Sequence, residues 1–186
     1  MVVISPVIES TRRLWIASPW GGWCLQSTDQ ALLRLDWQGT QFLAAPDCSS
    51  QPETELEHQA VALLHRYFQG ERVVFDHLPL QLTGTPFQQS VWRSLASIPY
   101  GETRPYQWLA QQAAKPKAAR AVGGALGRNP LPIILPCHRV ITSAGGLGGF
   151  MSGRGADALA LKEGLLSLEG IALGAAGGRL TVFSKG

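Results

Sequence analysis

Cys137 and His138 stand side by side in Pro136-Cys137-His138-Arg139-Val140, after an apolar run at 131–135 and before a glycine-rich turn. A thiolate is the nucleophilic form of cysteine, and a hydrogen-bonding or cationic neighbour favours it. Cys137 alone is weak evidence of chemistry, because unpaired cysteines are among the most buried residue types. Neighbours in sequence also need not face one another. Glu169 could orient an imidazole in the manner of a nucleophile, base and acid, although by itself it reads as a solvated helix-end glutamate.

Upstream lies a segment of unusual composition. Residues 118–125 hold alanine, glycine and valine around a single Arg120, and Asn129-Pro130 joins this segment to the cysteine. Gly123 and Gly124 each weaken a helix by roughly 1 kcal/mol relative to alanine, so a compensating close approach is implied. Tight helix–helix packing is one such approach, and contact with a nucleic-acid groove is the other. Lys115 and Lys117 suit phosphates, and a slim helix without long base-reading side chains suits a minor groove. Arg120 is then placed to enter a duplex and fill the space left by an extruded base.

Charge is distributed to match. Residues 1–100 carry 6 basic and 9 acidic side chains, whereas residues 101–154 carry 7 basic and one acidic, a local +6 within a chain of net +3. Such asymmetry points to a polyanion on the second half, with a solvated basic face as the plainer reading. Hydrophobic content of 45% is ordinary for a globular protein. No apolar run approaches a membrane span and the first ten residues lack a basic signal start, so a cytoplasmic protein is expected, or a nuclear one in a eukaryote. The three cysteines, Cys24, Cys48 and Cys137, are odd in number and widely spaced, against a disulfide framework or a four-cysteine zinc site. Cys24 reads as a small core residue and Cys48 as incidental. No motif calls for a metal or another cofactor.

Around these residues the pattern is that of an α+β protein. Residues 14–16, 22–25 and 31–37 are short apolar runs broken by turn formers, predicting a small N-terminal antiparallel sheet. Residues 53–68 have helical spacing, with Gly70 at the C-terminal cap. A linker at 81–84 precedes Thr85-Pro86-Phe87-Gln88, which supplies an N-cap, a proline at the first helical position and a capping-box glutamine. Helices at 106–114 and 117–126 on a short turn are compatible with a helix-turn-helix, a signature that a plain helical hairpin shares, within a mainly helical second part. Residues 159–169 predict a last helix. The expected division is a strand-rich domain at 1–83, a DNA-binding domain at 84–170 that also holds the thiol, and a flexible tail at 171–186.

The stretch 85–170 resembles the O6-alkylguanine-DNA alkyltransferases, the methylated-DNA–protein-cysteine methyltransferases of direct-reversal repair. The resemblance rests on Thr85-Pro86-Phe87-Gln88, Ile98-Pro99-Tyr100-Gly101-Glu102, Tyr106, the segment Lys117-Ala118-Ala119-Arg120-Ala121-Val122-Gly123-Gly124, Asn129-Pro130, the pentad at 136–140, Lys162-Glu163 and Leu168-Glu169-Gly170. It implies that Cys137 takes the alkyl group from guanine O6, once and irreversibly, and from thymine O4 as well. By the same resemblance His138 receives the thiol proton through a water, Glu169 polarises the imidazole, and Tyr106 donates to guanine N3 as the base leaves. Arg120 becomes the intercalating finger, Ala118, Ala119, Gly123 and Gly124 line the groove-facing surface, and Asn129 braces the acceptor segment. The backbone at Cys137 and Val140 holds the guanine amino group, and Phe150 and Met151 wall the pocket. The implied partner is duplex DNA bearing O6-alkylguanine, met by a monomer, with cooperative assembly on DNA left open.

Three departures stand out. Pro105 precedes Tyr106 where many members have a capping Ser or Thr, and Phe150-Met151 replaces the human-type Tyr-Ser, leaving only a backbone N–H at Met151. A longer loop, expected at 152–158, would border the alkyl pocket. Rival readings are a lesion sensor without chemistry, a cysteine hydrolase, and a major-groove regulator with Cys137 in its core.

Overall fold

The computed structural model describes residues 10–40, 47–151, 155–176 and 179–183. β1 (Arg12–Ser18), β2 (Gly21–Ser27) and β3 (Leu32–Trp37) form an antiparallel sheet in that order. The register places Leu14 opposite Leu25, Ile16 opposite Trp23, and Leu25 opposite Leu35. Alternation along each strand therefore turns these side chains to one face, where all are buried. α1 (Glu55–Phe68) packs there, and its Phe68 ring stacks on Trp23 at 6.4 Å between centroids.

α1 starts two residues later than the periodicity predicts, because Thr54 is the N-cap and forms a capping box with Glu57. Glu57 is itself buried and also accepts from Ser27 Oγ at 2.6 Å and Arg12 Nε at 2.8 Å, tying α1 to β1 and β2. Gly70 ends the helix at φ +85°, a conformation that favours glycine. The last α1 residues, Tyr67 and Phe68, are held at the centre of the molecule.

The second half is built on three helices. α2 (Pro86–Leu95) has the predicted Thr85–Gln88 capping box and proline first turn. α3 (Tyr106–Gln112) and α4 (Ala119–Leu126), joined by residues 113–118, pack on each other and on α2. Pro105, at the N-cap of α3, gives no side-chain cap; it belongs with Arg104 to a two-residue strand β4 that pairs in parallel with β5 (Val140–Ile141). That pairing sets the start of α3 beside the Cys137–Arg139 3-10 turn. α5 (Gly155–Leu168) closes the fold.

One apolar core runs through both halves, from Trp23 and Leu35 to Leu109, Val122 and Leu165. Backbone bonds also cross between them: Leu35 N–H donates to the Pro130 carbonyl at 2.8 Å. Gln81, placed in the expected linker, donates to the Leu32 carbonyl at 3.0 Å. No helix among the described residues is long and apolar enough to cross a membrane.

Three expectations need correction. The tail read as flexible forms an antiparallel hairpin, β6 (Ala172–Ala176) with β7 (Arg179–Phe183), and Ile171 is buried with Leu147 and Leu166. β7 reads Arg179-Leu180-Thr181-Val182-Phe183, a run with strong strand formers. The loop expected to 158 is shorter, since α5 already begins at Gly155; residues 152–154 lie outside the described residues. Cys48, read as incidental, has its Sγ 2.7 Å from that of Cys24.

Candidate active site

Cys137 opens the 3-10 turn and is 3% exposed. Its placement depends on the preceding segment, where buried Ile133 adopts φ +74°. A β-branched residue rarely occupies that region, and holding it there costs roughly 1–2 kcal/mol. Asn129 holds the segment in place. Its Nδ2 donates to the Leu135 carbonyl at 2.7 Å, and its Oδ1 accepts the Leu131 N–H at 3.1 Å. Burial raises the Cys137 thiol pKa, while the Asn129 amide, the charge of Lys162 and the turn's own N–H groups oppose that rise.

Behind the thiol, His138 is fully buried and its Nε2 lies 2.7 Å from Glu169 Oε1. A carboxylate there accepts, which places the proton on Nε2 and leaves Nδ1 as the basic nitrogen. Nδ1 has no hydrogen-bond partner among the described residues. Burial lowers the imidazole pKa despite the facing carboxylate. Burial alone would raise Glu169, but His138 and Arg139 together outweigh it and hold its carboxyl well below the usual range. Arg139 donates to both Glu169 oxygens and, through Nη1, to the Ile98 carbonyl at 2.6 Å. Gly101 N–H donates to Oε2 at 3.0 Å. Glu169 is therefore an anchored, ionised acceptor rather than a solvated helix-end residue.

A cavity of about 490 Å³ reaches Cys137 from below α4, lined among others by Tyr106, Arg120, Gly123, Phe150 and Met151. A second, of about 430 Å³, reaches it from the β3 side past Asn129, Pro132 and Met151. Tyr106 Oη donates to the Gly149 carbonyl at 3.3 Å, and burial raises its pKa. Gly148, at φ +66°, lies against the same phenol: a Cβ there would be 2.7 Å from Oη and 3.0 Å from Cε2. Met151 also has positive φ, +43°. Lys162 is fully buried beneath this wall, donating Nζ to the Val140 carbonyl at 2.6 Å and the Leu147 carbonyl at 2.5 Å, and burial pulls its pKa down to about 8. The Val140 carbonyl, assigned by resemblance to a guanine contact, thus already has one donor.

Arg120 and Gly124 are exposed on α4, with Ala118, Ala119 and Gly123 half-buried and Lys115 and Lys117 exposed on the preceding turn. The two explanations for the glycine pair can now be separated. A Cβ at Gly123 would come no nearer than 3.8 Å to Tyr106, and one at Gly124 no nearer than 3.9 Å to Arg128. Packing within the protein leaves room for alanine at both, so packing inside the fold does not account for the glycine pair.

Residues 86–171 match the DNA-binding domain of the 6-O-methylguanine DNA methyltransferases, and residues 13–82 match the ribonuclease-like domain of the same proteins. A methylated-DNA–protein-cysteine methyltransferase of Methanosarcina acetivorans is 44% identical over 154 residues, 82% of this chain and 94% of the relative. Its counterpart in Haemophilus influenzae is 39% identical over 154 residues, 83% of either chain. The chain belongs to the 6-O-methylguanine DNA methyltransferase family. A crystal structure of the Mycobacterium tuberculosis O6-methylguanine methyltransferase superposes with a TM-score of 0.72 at 40% identity, covering 86% of this chain and 93% of that one. A structure of Mycobacterium tuberculosis OGT in complex with DNA gives 0.71 at 39% identity, covering 85% and 92%.

Within this methyltransferase scaffold the fold gathers Cys137, His138, Glu169, Asn129, Tyr106, Val140, Phe150 and Met151 into one region. Arg120 lies at the mouth of the lower cavity, and Lys115 and Lys117 stand apart from it, on the turn before α4. Sequence reasoning passed over three residues that the geometry brings forward. In the sequence Arg139 stands out only within the pentad, and Lys162 only beside Glu163. Tyr67, on α1, carried no signal beyond its place on an apolar helical face.

Proposed function

We propose that this protein repairs duplex DNA by taking the alkyl group of O6-alkylguanine onto Cys137, once per molecule. What carries the reading is the position of one sulfur. Cys137 lies where a cavity under the slim helix α4 meets a buried imidazole whose free nitrogen is basic.

The step is a displacement at carbon. The Cys137 S–C bond forms as the C–O6 bond breaks, and guanine leaves with its electrons. His138 Nδ1 takes the thiol proton through a water, while Glu169 stabilises the resulting imidazolium. Tyr106 Oη donates to guanine N3, offsetting the negative charge on the leaving base. Asn129 and Lys162 favour the thiolate that burial disfavours. The thioether is stable, so the acceptor is consumed. O4-alkylthymine is a second substrate of the same geometry.

Delivery of the base rests on α3 and α4 acting as a helix-turn-helix in the minor groove. Lys115 and Lys117 contact phosphates, Arg120 fills the space left by the extruded nucleotide, and Ala118, Ala119, Gly123 and Gly124 allow close approach. Residues 1–83 form the supporting domain. The cell compartment is the one that holds the DNA, cytoplasm or, in a eukaryote, nucleus. The test is intact mass after incubation with O6-methylguanine duplex, alongside Cys137→Ala. A gain of one methylene unit on the Cys137 peptide, absent in the variant, supports the proposal. Tight lesion binding without mass gain would make the protein a sensor.

A further inference from the structure

The hydroxyl of Tyr67 is the part of the relay that comes from the other half of the chain. Tyr67 lies near the C-terminal end of α1 and is fully buried. Its Oη donates to Glu169 Oε1 at 2.8 Å and lies 3.2 Å from His138 Nε2. The ring is held by edge contacts with Phe68, at 5.9 Å between centroids, and with Tyr100, at 6.2 Å. It meets the His138 ring edge-on at 6.4 Å.

We infer that Tyr67 is a positioning residue for alkyl transfer, fixing the His138 tautomer and tempering the charge of Glu169. The inference rests on the proposed relay. Its logic is one of donors and acceptors. Tyr67 has one proton, and the shorter contact gives it to the Glu169 carboxylate. The phenol oxygen then has only lone pairs to offer, and these face His138 Nε2. Nε2 is thus surrounded by two acceptors, Glu169 Oε1 and Tyr67 Oη, and must carry the proton. Nδ1 is left bare as the base. A phenylalanine would fill the same space and remove only this constraint.

The pH dependence has a definite sign. The groups facing the imidazole are Glu169 after α5, Lys162 on α5, Arg139 and Cys137 in its own turn, and Tyr67 from α1. Among them only Glu169 carries negative charge when the thiol is protonated. Tyr67 acts on the imidazolium in two opposed ways: its lone pair, 3.2 Å from Nε2, supports the cation, and its proton, 2.8 Å from Oε1, draws charge from the carboxylate that supports it. The shorter bond, to a charged group, is the larger effect, so the loss of Tyr67 lets the carboxylate hold imidazolium more firmly. His138 then stays protonated to higher pH, and the acid limb of the rate profile moves upward.

The experiment compares wild type with Tyr67→Phe in single-turnover transfer from O6-methylguanine duplex across pH. Lesion affinity is measured for both in a Cys137→Ser background. The expected result is unchanged affinity, transfer slower by about tenfold near neutral pH, as for loss of a hydrogen bond to a charged group, and an acid limb displaced upward. An unchanged rate and profile overturn the inference, as does a loss that is uniform over pH and shared by affinity. ¹⁵N shifts of the His138 ring in the wild type give a second readout that needs no variant. A proton on Nδ1 overturns the inference whatever the variant does. A wild type that accepts no alkyl group fails the proposed function itself, a separate outcome from a competent wild type that ignores Tyr67.

Discussion

Asn129 bridges the turn that presents the acceptor, its Nδ2 bonded to the Leu135 carbonyl two residues before Cys137. The same side chain accepts the Leu131 N–H, so both its ends are used within one segment. Asn129→Ala leaves the Leu131 N–H unpaired and removes one of the two donors to the Leu135 carbonyl, which keeps the Cys137 N–H at 2.8 Å. One unpaired buried amide and one lost hydrogen bond amount to about 2–4 kcal/mol. The measurement is denaturant unfolding together with transfer rate. Both should fall, with the rate loss persisting at temperatures where the variant is fully folded. A variant that keeps its transfer rate would confine Asn129 to stability.

Arg120 should matter only when a base has to be extracted. Arg120→Ala is expected to slow repair of duplex DNA by about tenfold or more, through a less favourable extruded state. Reaction with free O6-benzylguanine, which needs no extraction, should stay within about twofold. Equal losses on the two substrates would remove the finger role.

Salt tests the basic surface without any variant. Lys115, Lys117 and Arg128 are exposed around α4, and three phosphate contacts predict a log–log slope of roughly −3 for DNA affinity against salt. The slope should be alike for unrelated sequences. A flat response, or one that depends strongly on sequence, would speak for a different docking surface.

Glu169 links stability to acid. Its carboxyl is depressed in the folded state, so it stabilises the fold fully above the ordinary carboxylate range, and that contribution fades as pH falls through it. Wild type should therefore lose stability more steeply than Glu169→Gln below about pH 4.5. At neutral pH the variant should be the less stable, since Arg139 loses its ion pair. Parallel curves would mean that Glu169 titrates alike in both states.

Local patterns were legible because local physics fixes them. Thr85 and Gln88 announce the start of α2, Gly70 the end of α1, and alternating strands the sheet. Cys137 and His138 could be considered together because they adjoin in sequence, while Arg139 beside them gave no sign of its bonds to Glu169. What stayed hidden depends on long-range meetings. Tyr67 reaches His138 across 71 positions, and the Cys24–Cys48 contact spans 24. Lys162 looks like a surface lysine until three backbone carbonyls, of Val140, Leu147 and Gly149, are seen to surround its amine. The hairpin at β6 and β7 was missed for a different reason: the Gly/Ala composition of β6 and of residues 177–178 obscured the strand-forming run of β7.

Gly148 has an implication for how natural diversity at this locus should be interpreted. The hydrogen on its α-carbon is all that separates the backbone from the Tyr106 phenol. In a population of variants, an alanine codon at 148 would leave every recognisable signature of the protein intact and yet crowd the doorway to the sulfur. A gene can thus look complete by its motifs and encode a protein whose Tyr106 phenol is displaced.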